Sequence, residues 1–521
     1  MKKILLSAIL LSSIIACREE SLSNRDAQLQ AQQNLLDVKS VYKQEFSIAL
    51  AKALASNADL RDFIKKEALK KFDNDYDILY QMVKDQKVGG KIFKDIIAEQ
   101  YDKKENLEAL ERLYPTLTIF VPELPMDSFS AEKWNSRTEI PQVAYTLDTT
   151  NDTPIVNEKG EEYFLEAKYT PSFPVLVVKE NERVKISTSN SIRNNTIASN
   201  SPVIIQDNVL KGSSYNFEFL DDAFNGNKSN KILKSASKIQ SGAFVNSSGS
   251  FDSKIQQAYE IYKNTDGWQR DYIYYDITPG QQRGQFKYDY QEFITSFKMN
   301  SSSGLNTISD QSGDPVLNER WSEKGRDGFT SPWKGGQFEF RINVLINANN
   351  GLGSSIVKYF VCKPEELFDT VYEHVRIKPF QLMVWELRSV SPKKLELNNV
   401  PLFNWDLNQY ASSIKISIEE VDLTEEETRT DTRSVKFATN FGIDPTSGFL
   451  KKIGLKFGSS LERNESSTVS YKVTKSSDQL GDVIVNFADK VITGFDGVSY
   501  FGRENYSSGQ YTITVEPRRV Q

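Results

Sequence analysis

Phe338-Glu339-Phe340-Arg341-Ile342-Asn343-Val344 decides the fold class of this chain. Apolar and polar residues alternate without a break, so one face of the segment is apolar and the other polar. That is the pattern of a half-exposed β-strand. Towards the C-terminus the same short pattern returns in Leu382–Leu387, Ile414–Glu419, Ile453–Phe457, Val469–Val473, Val483–Phe487 and Tyr511–Val515, with turn-rich segments between. Such spacing predicts a C-terminal antiparallel β-sandwich over residues 380–521.

Towards the N-terminus, residues 116–379 read as a β-rich middle region with long polar loops. Val175–Val178 follows Pro171 and Pro174 and reads as a buried strand. Tyr272–Tyr275 and Phe286–Phe297 also read as strands, and Asp252–Lys263 as a helix. Before Pro115 the period changes. Leu35, Val38, Tyr42, Phe46, Ala49 and Ala53 recur at helical steps, and Leu60, Phe63, Ile64 and Ala68 repeat them, with Ser56 and Asp59 spaced like a capping box. The predicted class is α+β: a small N-terminal helical domain over 29–115, then mainly antiparallel β domains.

The chain opens with MKKILLSAILLSSIIAC. Two lysines precede a short apolar run, the form of a secretory signal peptide over 1–16. The run is shorter than the ~20 residues a membrane-spanning helix needs. Ile14-Ile15-Ala16-Cys17 resembles the lipobox of bacterial lipoproteins. That resemblance implies lipidation of Cys17 and a membrane partner reached through the anchor; the polar residues that follow read as a tether over 17–28. Arg18, where many inner-membrane lipoproteins carry aspartate, implies delivery to the outer membrane, on its periplasmic face or at the cell surface.

The 521 residues carry 64 Lys and Arg against 70 Asp and Glu, and removal of Lys2 and Lys3 with the leader takes the formal charge from -6 to -8. No basic cluster suggests nucleic acid. With Cys17 lipidated, Cys362 has no disulfide partner in the chain and reads as a small core residue.

His374 is the only histidine, which removes the two-histidine zinc sites and leaves one candidate base for any serine or cysteine nucleophile. No GxSxG elbow and no phosphate-binding glycine loop is present. Asp73-Asn74-Asp75-Tyr76-Asp77 fails as a calcium loop, because Ile78 and Lys84 stand where glycine and glutamate are required. No cofactor is firmly implied. The acidic run Asp422, Glu425, Glu426, Glu427 and Asp431 carries two readings: a calcium site with Asp422, Glu425 and Asp431 as ligands, or a solvated loop balanced by Arg429 and Arg433. Trp321 and Trp333 lie in a Gly- and Ser-rich stretch and are the tryptophans expected to be exposed for a ligand.

Beyond the lipobox, Asp59–Ile64, Pro174–Val178 with Asn181-Glu182-Arg183, Trp268–Asp271 and Lys452–Gly458 resemble uncharacterised outer-membrane or surface lipoproteins of Bacteroidetes-type bacteria. The resemblance implies no activity. The expected function is a lipid-anchored cell-envelope binding or interaction module with a protein or glycan partner. The alternative is a carboxylate-based hydrolase, such as a glycoside hydrolase, which needs two acids across an aromatic-lined cleft.

Overall fold

The computed structural model describes residues 40–147, 150–186, 204–206, 209–211, 215–226, 251–265, 267–281, 283–309, 329–349, 353–378, 381–421, 426–438, 462–474, 478–502 and 506–520. Its sheets are mostly antiparallel and strand outweighs helix, so the chain is α+β and mainly β. No helix among the described residues is long and apolar enough to cross a membrane.

The helical stretch does not close on itself. The helices at residues 40–56, Ala58–Ala68, Phe93–Ala98 and Lys104–Leu113 each present an apolar face. Those faces pack on a six-stranded sheet with the order Asp77–Leu79, Leu117–Phe120, Val175–Glu180, Gln142–Tyr145, Thr153–Val156, Glu162–Leu165. Phe46, Leu60, Ile64, Phe93 and Leu110 share one core with Ile119, Phe120, Val143 and Val175–Val178. Asp77–Leu79, inside the expected helical domain, pairs antiparallel with Leu117–Phe120 just beyond Pro115. The expected boundary at residue 115 is therefore corrected: Pro115 ends a helix but separates no domain. A smaller correction concerns the helix Ala58–Ala68, whose cap is Asn57. The Asn57 side chain accepts from Leu60 N at 3.1 Å, whereas Ser56 donates back to Lys52 O.

The boundary at 379 moves for the same reason. The tail strands Ser413–Glu420 and Asp478–Asn486 complete a four-stranded sheet with Phe338–Asn347 and Gly353–Cys362. The last strand, Tyr511–Arg519, pairs with Tyr290–Met299 along its whole length. Both sheets feed one core, in which Phe297 meets Phe340 at 4.9 Å and Phe360 at 5.3 Å between ring centroids. Residues 380–521 thus build their sheets with partners from the middle region.

The expected helix near 252–263 is present as Ser253–Tyr262, capped by Asp252, whose side chain accepts from Lys254 N. Tyr272–Tyr275, expected as a strand, belongs to the helix Gln269–Tyr275. Its aromatic rings fill the core from that helix: Tyr274 stacks on Phe286, and Tyr274 and Tyr275 both lie against Phe487. Tertiary packing overrides the local β preference of a tyrosine-rich run.

Candidate functional site: a cleft over a buried charge network

Three aspartates at alternate positions, Asp73, Asp75 and Asp77, lead into the first sheet strand, and all are buried. Facing them is the segment just after the strand Val175–Glu180. Asn181 donates to Asp73 Oδ2 at 2.8 Å, Arg183 donates through Nη1 to Asp73 O at 2.8 Å, and Arg183 Nη2 reaches Asp75 at 3.3 Å. Lys179 Nζ lies 3.7 Å from Asp77 and 3.6 Å from Glu182. The remaining donor of Arg183, Nε, goes to Glu339 on the central strand Phe338–Asn347. The aspartate run is thus engaged by the chain's own Lys179, Asn181 and Arg183.

The network holds five carboxyls, Asp73, Asp75, Asp77, Glu182 and Glu339, against two cations, Lys179 and Arg183. Burial pushes the pKa of Asp73, Asp77, Glu182 and Glu339 upward, and Lys179 and Arg183 only partly oppose it. Glu182 is raised to about 7. Burial also works against the charge on Lys179 and Arg183, but the surrounding carboxylates more than compensate and hold both protonated.

Over this network runs the segment Ser331–Gln337. It is pinned by Ser331 N to Ala167 O at 2.8 Å, by Lys179 Nζ to Gly335 O at 2.7 Å and by Gln337 N to Asp75 at 3.2 Å. Gly336 adopts φ +91°, and a Cβ there would stand 2.4 Å from Asp75 Oδ2 and 2.9 Å from Phe120 Cζ. Glycine is the residue that permits so close an approach.

On the outer side of this segment lies a cleft of about 340 Å³, within the range of small-molecule sites. Phe120 and Trp333 form its inner wall and Tyr372 stands at its side. Asp75, Glu123, Asp127, Lys363 and Glu365 supply the charges, with Lys363 Nζ 2.5 Å from Glu123. Burial opposes the Lys363 charge, but Glu123 and Glu365 outweigh it and raise its pKa. Burial pushes the Tyr372 phenol up to about 12. The rim carries Met126, 76 % exposed, and both Met126 and Asp127 hold left-handed backbone with φ of 53° and 57°. Two such residues in succession cost ~1–2 kcal/mol each. Strain of this kind collects where a loop is shaped for contact.

The expected site residues fare differently. Cys17, Trp321, Asp422 and Glu425 lie outside the described residues. Trp333 corrects the expectation of exposure: it is 5 % exposed and its indole N–H is given to Tyr169 O at 3.2 Å. It can offer a ligand a wall but not a free face. Asp431 lies in the strand Glu426–Ala438, not in a loop. It accepts from Lys415 at 2.8 Å and sits 3.6 Å from Arg433, so basic side chains balance its charge. Among the described residues no group of three or more His, Cys, Asp or Glu is placed to hold a metal ion.

His374 stacks on Trp385 at 4.4 Å and its Nε2 lies 3.1 Å from Ser172 Oγ. The Ser172 hydroxyl gives its one proton to Met383 O at 2.8 Å, so His374 is the donor to this serine, the reverse of an activating base. Cys362 is buried, and burial pushes its thiol well above the ordinary range.

Sequence reasoning missed Glu123, Lys363 and Tyr372, which come from three separate segments, and no motif joins them. No family model, curated protein or solved structure matches this chain.

Proposed function

We propose that this protein is a lipid-anchored binding module of the cell envelope, and that the cleft between Phe120, Trp333 and Tyr372 takes a saccharide. The observation that carries the reading is the cleft's preformed build. Its floor, Ser331–Gln337, is tied down by hydrogen bonds, so a ligand would lose little in ordering it. Apolar surface from Met126 and Tyr372 lies beside the Glu123–Lys363 pair and Gln337. That mixture suits the apolar faces and hydroxyl edges of a sugar.

The hydrolase alternative draws less support. Asp75 is engaged by Arg183 and by Gln337 N, Glu123 by Lys363 and Asp127 by Lys133. Of the carboxyls with raised pKa, Asp73, Asp77, Glu182 and Glu339 belong to the buried network and Glu516 pairs with Arg518, and none of them lines the cleft.

The test uses the mature chain. Neutral hexasaccharides built on glucose, mannose, galactose and N-acetylglucosamine are screened by ligand-observed NMR, and the best binder is titrated against Tyr372→Ala and Lys363→Ala. Each substitution should weaken binding about tenfold, on the order of 1.4 kcal/mol, with the melting temperature little changed. Absence of any binder, or unchanged affinity in both variants, overturns the assignment. The anchor is tested separately: Cys17→Ser should release the protein from the membrane fraction.

A further inference from the structure

A second concavity, of about 540 Å³, lies along the polar face of the central strand, on the side of Arg341. The strands Gly353–Cys362 and Glu462–Thr474 touch at one end, where a Cβ on Gly353 would meet Val469 Cγ2 at 2.3 Å and Thr468 O at 2.8 Å. Each is paired along its length to another strand, Phe338–Asn347 and Glu426–Ala438 respectively. Beyond the contact a groove opens between them, walled by Tyr359 and Tyr471.

Its lining is mainly basic, although the chain as a whole is acidic. Lys185, Arg341 and Lys472 line it, against the single carboxylate of Asp221. Arg341 is 3 % exposed and lies at the base of the groove, its guanidinium 5.8 Å from the Tyr359 ring centroid and its Nε 3.6 Å from Glu419. A buried guanidinium held by an aromatic ring and a carboxylate is a fixed donor, and the two lysines add positive charge on the same walls. The hydroxyls of Ser355, Thr428 and Ser470 lie on the same walls.

We propose that this groove binds an acidic saccharide. Its oxyanion is held by Lys185, Arg341 and Lys472, and its ring lies along Tyr471 with its hydroxyls towards Ser355, Thr428 and Ser470. Carboxylate and phosphate ester present the same chemistry to these cations. The site is separate from the cleft beside Tyr372 and does not rest on that cleft's ligand.

The test is calorimetric titration of the mature chain with trigalacturonate, glucose 6-phosphate, inorganic phosphate and neutral maltotriose. One or both acidic saccharides should bind more tightly than phosphate and far more tightly than maltotriose, and their affinity should fall as salt is added. Preference between the two acidic saccharides identifies the anion. Lys185→Gln with Lys472→Gln should weaken binding at least tenfold. Lys358→Gln, on the opposite face of its strand, and Tyr372→Ala in the other cleft should leave it unchanged. The proposal is overturned if neither acidic saccharide binds, if the double variant binds as well as the parent, if the Lys358 control loses as much, or if phosphate, or maltotriose in the Tyr372→Ala chain, binds equally well.

Discussion

Arg183, just beyond the first-sheet strand Val175–Glu180, donates through Nε to Glu339 on the central strand Phe338–Asn347. Both side chains are 2 % exposed. Because Arg183 also serves Asp73 and Asp75, its removal would leave a crowd of buried carboxyls with Lys179 as their remaining cation. Breaking a buried pair by deleting one member costs ~3–5 kcal/mol. Arg183→Met should therefore lose about that much in chemical denaturation at neutral pH. A loss below ~1 kcal/mol contradicts the role given to this residue.

The same network predicts the pH dependence of stability. The Glu182 carboxyl is raised from 4.5 to about 7 in the folded chain, chiefly by burial. The folded state then holds this proton more tightly than the unfolded chain does. Its contribution favours folding below about 4.5 and is lost as pH rises through about 7. Asp73, Asp77 and Glu339 are raised too and act in the same direction. The melting temperature should fall across this window, and Glu182→Gln should flatten the fall and be more stable than the parent on the alkaline side. Equal slopes for parent and variant count against this role for Glu182.

The strand Phe338–Asn347 shows what the sequence could and could not reveal. Its alternation marks a strand correctly, yet every residue is buried, not every second one. The polar face is covered because Glu339 meets Arg183 and Arg341 meets Glu419, partners far away along the chain. Period reports which residues share a face; it does not report what covers that face. Two of the segments that stood out by resemblance, Asn181-Glu182-Arg183 and Trp268–Asp271, carry buried polar residues. Besides Asn181 and Arg183, Gln269 accepts from the N–H groups of Val491 and Ile492, and Arg270 makes a two-bond pair with Glu292 at 2.7 and 3.0 Å. Chemistry that must be satisfied inside a core leaves unusual residues in the sequence, and those are easily read as function. The cleft left no such mark, since a common Glu, Lys and Tyr converge there only after folding.

Gly336→Ala tests the close approach under the cleft. The added methyl would press on Asp75 and Phe120 from a backbone conformation that L residues rarely adopt. A loss of ~1–3 kcal/mol is expected, with weaker saccharide binding. A variant as stable as the parent contradicts the geometry.

A fragment of residues 116–521 should fail to fold alone. It lacks the strand Asp77–Leu79 and the helices that cover one side of the first sheet. The expected result is a soluble-fraction loss and dye binding to exposed apolar surface. A cooperative melt matching that of the mature chain would show that the helices are dispensable.

Whether the cleft beside Tyr372 is a saccharide site is read most plainly by hydrogen exchange of the mature protein, with and without its best-binding neutral hexasaccharide. Protection should appear in the peptides covering residues 120–127, 332–337 and 363–372, which line the cleft, with little change elsewhere. Protection confined to other segments, or none at saturating ligand, contradicts the assignment of the cleft as the binding site.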